Sequence, residues 1–366
     1  LTSPYFFVPP SGDTGSRPQS CAPGTLRFNT DFGSLEVFRG DTIGWEQIQR
    51  RDGQYLGGGT GSNTGLGVRA VLPGGFSDPG RSASISFLTI STLGNTQDFG
   101  DLAAGQNANA GLSSRTRGLS IGGSLASPVG RVNTIEFFTF ASLGNAANFG
   151  DMTVVRAELG STSNNVRGIA AGGSPGPKDD MEYITIASTG NAVDFGNLAV
   201  AREGLAQGCI SNGTRGIFAG GNTPTFLNNI EFVTIMSTGN TSDFGDLSAT
   251  NSRQASCCSS TRGLFAGGYK TPTVFNTIEF VTIATTGNSA DFGDLTRTNC
   301  DHGGASSPTR GVFAGGRPGP NAVNTIDFVE IATLGNAADF GDTDVAGSTN
   351  GVIRATGTSS NGHGGL

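Results

Sequence analysis

Lysine is nearly missing from this chain of 366 residues: Lys178 and Lys270 are the only two, and the formal net charge is -7. Without clustered basic residues no surface suits a phosphate backbone, so nucleic acid is not an expected partner. Long hydrophobic runs are missing as well. No stretch approaches the roughly eighteen apolar residues of a membrane helix, and no membrane insertion is expected. Tyr5, Phe6, Phe7 and Val8 make too short a run for a signal-peptide core and have no basic lead. With Leu at position 1, the expectation is a processed chain or a piece of a longer one. Histidine occurs twice, at 302 and 363, and tryptophan once, at Trp45. The five cysteines (Cys21, Cys209, Cys257, Cys258, Cys300) include no C-x-x-C pair, which argues against a zinc site. They are expected as buried free thiols of a protein made in a reducing compartment. No metal and no cofactor are expected.

Glycine, in contrast, is abundant: 60 residues, and they fall at fixed offsets beside Phe, Ile and Leu. The stretch TRGLFAGGYKTPTVFNTIEFVTIATTGNSADFGDL, 261 to 295, shows the unit. An Arg leading into an apolar run and Gly-Gly recurs at Arg69, Arg117, Arg167, Arg215, Arg262 and Arg310, in steps of 48, 50, 48, 47 and 48 residues. A second anchor keeps the same period: DFGD at Asp98, NFGD at Asn148, DFGN at Asp194, and DFGD again at Asp243, Asp291 and Asp339. Two anchors in phase define a sixfold repeat.

Within a unit, RGLFAGG reads as a strand covered on both faces, and NTIEFVTIATT, rich in β-branched residues, as a second strand. Gly-Asn then marks a tight turn at which both residues tolerate positive φ. DFGDL opens a third strand, and variable stretches such as SRQASCCSS at 252 to 260 supply a fourth. Four strands in about 48 residues with no helical period is the content of a propeller blade. The expected fold is all-β: a six-bladed β-propeller over residues 61–366. A ring is favoured over an open solenoid because the end units keep the repeat pattern instead of becoming polar caps. For the final strand of the sixth copy the candidate is 351 to 360, and 53 to 60 is a second candidate closing segment.

Residues 1–23, with five prolines among Gly and Ser, read as an extended docking arm without its own core. Residues 24–60 read as a small β-hairpin module. Its alternation places Leu26, Phe28, Leu35, Val37 and Phe38, then Trp45 and Ile48, on strands punctuated by turns. So small a sheet is marginal alone and needs a partner surface. Tyr5, Phe6, Phe7, Arg27, Phe28 and Trp45 are the candidate docking residues.

Candidate chemistry is sparse. The repeated DFG is not a kinase signature: the chain has no HRD loop and no strand lysine in place, so the Asp is expected to cap a turn and the Phe to fill the gap between blades. The DFGD carboxylates lack the alternating spacing of a calcium loop. The repeat Arg and the acids at Glu136, Glu182, Glu231, Glu279 and Asp327 are expected to form cross-strand or inter-blade ion pairs. Cys300, Asp301 and His302 are triad residue types, but strand neighbours point to opposite faces. His363 is the only other histidine for a Cys–His pair. Catalysis is not expected. What does not repeat carries the functional information: residues 1 to 60 and loops such as 174 to 180 and 317 to 322.

The Gly-Gly pairs after apolar strands resemble kelch repeats, although the downstream Tyr and Trp of that family are absent. The segment SRPQSCAPGTLRFNTDFGSLEVFRGDTIGWEQI, 16 to 48, resembles a short module of bacteriophage tail-fibre and virion proteins. Arg17, Pro18, Gly24, Leu26, Arg27, Phe28, Asn29, Thr30, Leu35, Glu36, Val37, Phe38, Gly40, Trp45 and Ile48 carry that likeness. The Gly-Asn/DFGD units are similar to those of structural proteins of marine phages that infect cyanobacteria. Together the likenesses imply a non-enzymatic virion protein for attachment and display, partnered by other virion proteins, by copies of itself and by a host glycan or receptor. Alternatives are a capsid-decorating or tail-associated protein, and a secreted lectin-like or carbohydrate-active propeller.

Overall fold

The computed structural model describes residues 9–18, 21–31, 34–40, 44–47, 67–77, 80–205, 208–345, 348 and 351–366. It divides into two compact units, Leu1–Asp52 and Gly53–Leu366. Tyr5, Phe6, Phe7, Ile48 and the candidate segment 53 to 60 lie outside the described residues.

In the first unit, Leu26–Asn29, Ser34–Phe38 and Trp45–Gln47 form an antiparallel meander. Ser11–Gly12 adds a parallel edge strand, with Ser11 opposite Phe28. A 3-10 turn at Thr14–Ser16 follows, capped by the Asp13 side chain accepting from the Ser16 amide. This part of the expected arm therefore belongs to the module's sheet.

The faces are assigned the other way round from the usual apolar-inside rule. Arg27, Asn29 and Glu36 are buried, whereas Leu26 and Leu35 are more than a third exposed. Glu36 holds the buried face together: it pairs with Arg17 and with Arg27 at 3.8 Å, and it accepts from Asn29 Nδ2 at 2.9 Å. The Arg17 hydrogen bond, acting against burial, holds its carboxyl below the usual range.

The second unit is all-β. Among its described residues, Ala255–Cys258, Arg262–Ala266, Thr277–Thr282 and Ala290–Asp294 form one antiparallel four-stranded sheet. The variable stretch thus leads into the next sheet as its inner strand, so each sheet straddles two sequence repeats. Equivalent four-stranded sheets begin at Ala110, Gly160 and Gly303. Arg215–Ala219, Asn229–Thr234 and Ser242–Asp246 make a three-stranded sheet, whose inner position is filled by residues around Ser211, bridged to Gly216. The sheet of Arg69–Ser77, Gly80–Thr89 and Gln97–Asp101 takes its inner strand from Ser359–Ser360. Residues 351 to 360 therefore do not complete the sixth sheet, as the order of repeats suggests; their last strand completes the first.

Both sequence anchors act between sheets. The Gly-Asn turn of each sheet docks on the DFG strand of the sheet before it. Gly144, Gly190, Gly239, Gly287, Gly335 and Gly94 donate their amides to the carbonyls of Phe99, Phe149, Phe195, Phe244, Phe292 and Phe340 at 2.7 to 2.9 Å. The neighbouring Asn accepts from the residue after the DFG glycine at 3.0 Å in all six places, Asn95 on Asp342 included. Only the turn glycine takes positive φ; the Asn is required for its side-chain oxygen.

The DFG phenylalanine sits at a β-bulge, where the register shifts opposite the pair Ile278/Glu279 and its equivalents. The following glycine has φ between 139° and 151°. A Cβ on Gly245 would lie 2.4 Å from the Gly287 carbonyl oxygen, so only glycine permits the approach. The leading Asp of the motif is exposed, as at Asp98 and Asp291, and accepts no hydrogen bond among the described residues.

The expected pairs between the repeat Arg and Glu136, Glu182, Glu231, Glu279 or Asp327 do not form among the described residues; of the six arginines Arg310 alone pairs across strands with an acid, Glu330, at 2.8 Å. Each Arg stacks on an aromatic ring of its own sheet at 4.1 to 4.6 Å. It also donates to a carbonyl of the following sheet at 2.6 to 3.2 Å, with Arg310 reaching Ile90. A planar guanidinium serves both contacts at once. The acids point elsewhere: Glu136, Glu182, Glu231, Glu279 and Asp327 accept backbone amides from the preceding sheet at 2.9 to 3.3 Å. Glu182 and Glu231 also pair with the fully buried Arg156 and Arg202.

Six apolar clusters fill the joints, each built from two consecutive sheets. One joins Ala70, Leu72 and Ile90 to Val312, Ile326 and Phe340.

Candidate functional site

The inner segments bring residues that are far apart in sequence into two layers. At their upstream ends lie Ala108, Glu158, Gly204, Arg253, Asp301 and Ala355, all with φ between 51° and 64°. Each donates its amide to the carbonyl of the equivalent residue in the preceding segment, at 2.6 to 3.1 Å, and Ala108 donates to Ala355, which returns the series to its start. Five of these residues are not glycine, a conformation that persists only where surrounding bonds enforce it.

Five residues downstream, or seven in the fourth sheet, a second layer repeats the pattern with side chains. Ser163 donates to the Ser113 carbonyl at 2.9 Å, Ser211 to Ser163 at 2.6 Å, and Cys258 to Ser211 at 3.4 Å. Ser306 donates to Cys258, Ser360 to Ser306, and Ser113 to Ser360, each at 2.7 Å.

Residues 361 to 366 cover this second layer. His363, 3 % exposed, lies 3.3 Å from Ser163 Oγ and 3.4 Å from the Ser113 carbonyl with Nε2; its Nδ1 is 3.7 Å from Cys209 Sγ. Burial alone would push the Cys209 thiol up and the His363 imidazole down. Their mutual attraction outweighs it, with Cys209 brought to about 7 and His363 raised to about 10. A thiolate–imidazolium pair is chemically a nucleophile with its base. Both groups are enclosed by the serine layer and the covering segment, and neither lines the cavity at the opposite end. The pair joins residues 361 to 366 to the inner segment that carries Cys209. No local spacing in the sequence marks this pair, whose members are 154 positions apart.

Cys300, Asp301 and His302 diverge. Burial, then Asp301, pushes the Cys300 thiol up to about 12. His302 is brought down to about 4 by burial; it meets Phe313 edge-on at 6.2 Å, and neither ring nitrogen bonds a protein group. Asp301 alone faces the cavity. Cys209, Cys257, Cys258 and Cys300 are buried free thiols and Cys21 is half-buried. Among the described residues no group of His, Cys, Asp and Glu could hold a metal ion.

The cavity, about 260 Å³, opens at the upstream layer and is lined by Arg81, Arg253, Arg317, Arg354, Glu158 and Asp301, with Phe76 and Asn107. Asp301 accepts from Arg317 at 2.6 Å and lies 3.7 Å from Arg253, which reaches Glu158 at 3.4 Å. Burial raises the Glu158 carboxyl pKa, and Arg253 opposes the rise.

Of the candidate docking residues, Phe28 is half-buried on the module face that carries Leu26, Leu35 and Val37. Arg27 and Trp45 sit on the other face. Arg27 donates to the Asp13 carbonyl at 2.8 Å and lies 5.7 Å from the Trp45 ring, and Trp45 Nε1 donates to Pro18 O at 3.1 Å. Both are held by contacts within the module. No protein-family model and no curated protein sequence matches the chain.

Proposed function

We propose that residues 61–366 form a closed six-bladed β-propeller serving as a non-enzymatic display module of a phage particle, attached through its N-terminal unit. The observation that carries the closure is the Asn95–Asp342 bond, which joins the last sheet to the first with the same partners and length as the five joints between consecutive repeats. A ring leaves no open inter-sheet face, which suits a protein that must persist outside a cell.

Attachment rests on the apolar face of Leu26, Phe28, Leu35 and Val37, supported by the likeness of residues 16 to 48 to virion modules. Partners are other virion proteins, with a host glycan or receptor at the distal loops and localisation on the virion. The enclosed Cys209–His363 pair supports the non-enzymatic reading. Imaging the source particle with this chain labelled tests the proposal: density on the tail or fibre is expected. Symmetric density over the capsid would move the protein to decoration, and a free monomer that hydrolyses glycans would overturn the virion reading.

A further inference from the structure

The cavity at the upstream layer carries charge opposite to that of the whole chain. Four arginines and two carboxylates line it, a surplus of two positive charges in a protein of net charge -7. Three of the arginines are engaged: Arg317 and Arg253 with Asp301 and Glu158, and Arg81 with Asn107 Oδ1 at 2.8 Å and Ser124 Oγ at 3.3 Å. Arg354 is not. Its guanidinium stacks over Phe76 at 4.6 Å and makes no hydrogen bond or ion pair within 4 Å among the described residues.

The amides of the upstream layer are already spent on one another, so they do not compete for a ligand beside Arg354. Burial, then Arg317, disfavours its charge. A guanidinium stays charged regardless, so its fork of donors is complementary to an oxyanion. Glu158, Asp301 and Asn107 supply acceptors beside it, suited to hydroxyl groups. The volume suits a molecule the size of one sugar ring.

We infer that this cavity binds a small polyhydroxylated carboxylate of the uronic-acid type, its carboxylate on Arg354 and its hydroxyls donating to Glu158 and Asp301. No catalytic step is involved. The inference does not depend on the virion reading, and a failure to bind would leave placement on a particle untouched.

The test is titration of the full chain with glucuronate, glucose and inorganic phosphate, followed by calorimetry and by amide chemical shifts of Ala108, Gly204 and Ala355. Glucuronate is expected to bind and to shift those amides, with glucose at least tenfold weaker. Arg354→Gln is expected to weaken glucuronate binding at least tenfold, and Arg81→Gln less. Circular dichroism of both variants checks folding, and the native titration stands without them. No binding of glucuronate, equal binding of glucose, or an unchanged affinity in a folded R354Q would overturn the inference. Phosphate binding as tightly as glucuronate would overturn its sugar part.

Discussion

Asn288 represents the residue that the repeat needs most and that local turn chemistry explains least. Its Oδ1 accepts the Asp246 amide across a joint at 3.0 Å, a bond whose net worth is about 1 kcal/mol. Asn288→Ala is expected to lower unfolding stability by about that much in a denaturant titration, with the same loss at Asn336. Gly245→Ala should cost more, about 3 kcal/mol, because it adds a contact 2.4 Å from a backbone oxygen to a φ of 146°. Differential scanning calorimetry against the control Gly319→Ala, where a Cβ meets nothing within 4 Å, checks it.

His302 predicts a pH dependence. Its folded pKa of about 4 lies below the ordinary histidine value of 6.5, so the fold favours the neutral ring. The associated stability is present above pH 6.5 and is lost as pH falls towards 4, by about 3 kcal/mol. Denaturation midpoints between pH 7 and 4 should fall in the native chain and fall less in His302→Phe.

At the scale of elements, the repeat Arg joins two sheets with one side chain. Arg262→Ala removes the stack on Phe280 and the bond to Ile331 O, and a loss of 1 to 3 kcal/mol is expected, on the order of a stacked cation plus a charged hydrogen bond. Arg262→Lys should recover only part of it, since an ammonium lacks the planar fork. Unchanged thermal unfolding of R262A would count against the joint.

In the N-terminal unit, Phe28→Asp should leave the fold intact by circular dichroism and abolish attachment in a particle-binding assay. Retained attachment would remove that face from the proposal.

The strands of each unit were legible in the sequence because Ile, Phe and Val fall in runs bounded by glycine. The partner of each Arg was not, because an acid and an aromatic ring are neighbours on the adjoining strand, as at Glu279 and Phe280, and the repeat spacing does not say which of them shares the Arg's face. Which face of the module lies inside was open for a similar reason. Alternation separates Leu26 and Phe28 from Arg27 and Asn29, but Glu36 and Arg17 decide which set is inside. Residues with no periodic neighbour, such as Cys209 with His363 or Arg317 with Asp301, met only through the fold.

In the whole molecule the sixth sheet adjoins the first. Ser359–Ser360 pairing with Val71 and Ala70, the Gly94–Phe340 bond and the shared apolar cluster all express it. Such a ring should unfold as one cooperative unit, whereas an open array loses its terminal repeats first. The most direct measurement is the nitroxide–nitroxide distance by pulsed electron resonance in a Cys21→Ser background. One pair is placed on the exposed turn positions Thr92 and Thr333, and a reference pair on Thr92 and Ser142. Equal distances are expected for both pairs; a Thr92–Thr333 distance several times the Thr92–Ser142 distance would rule out closure.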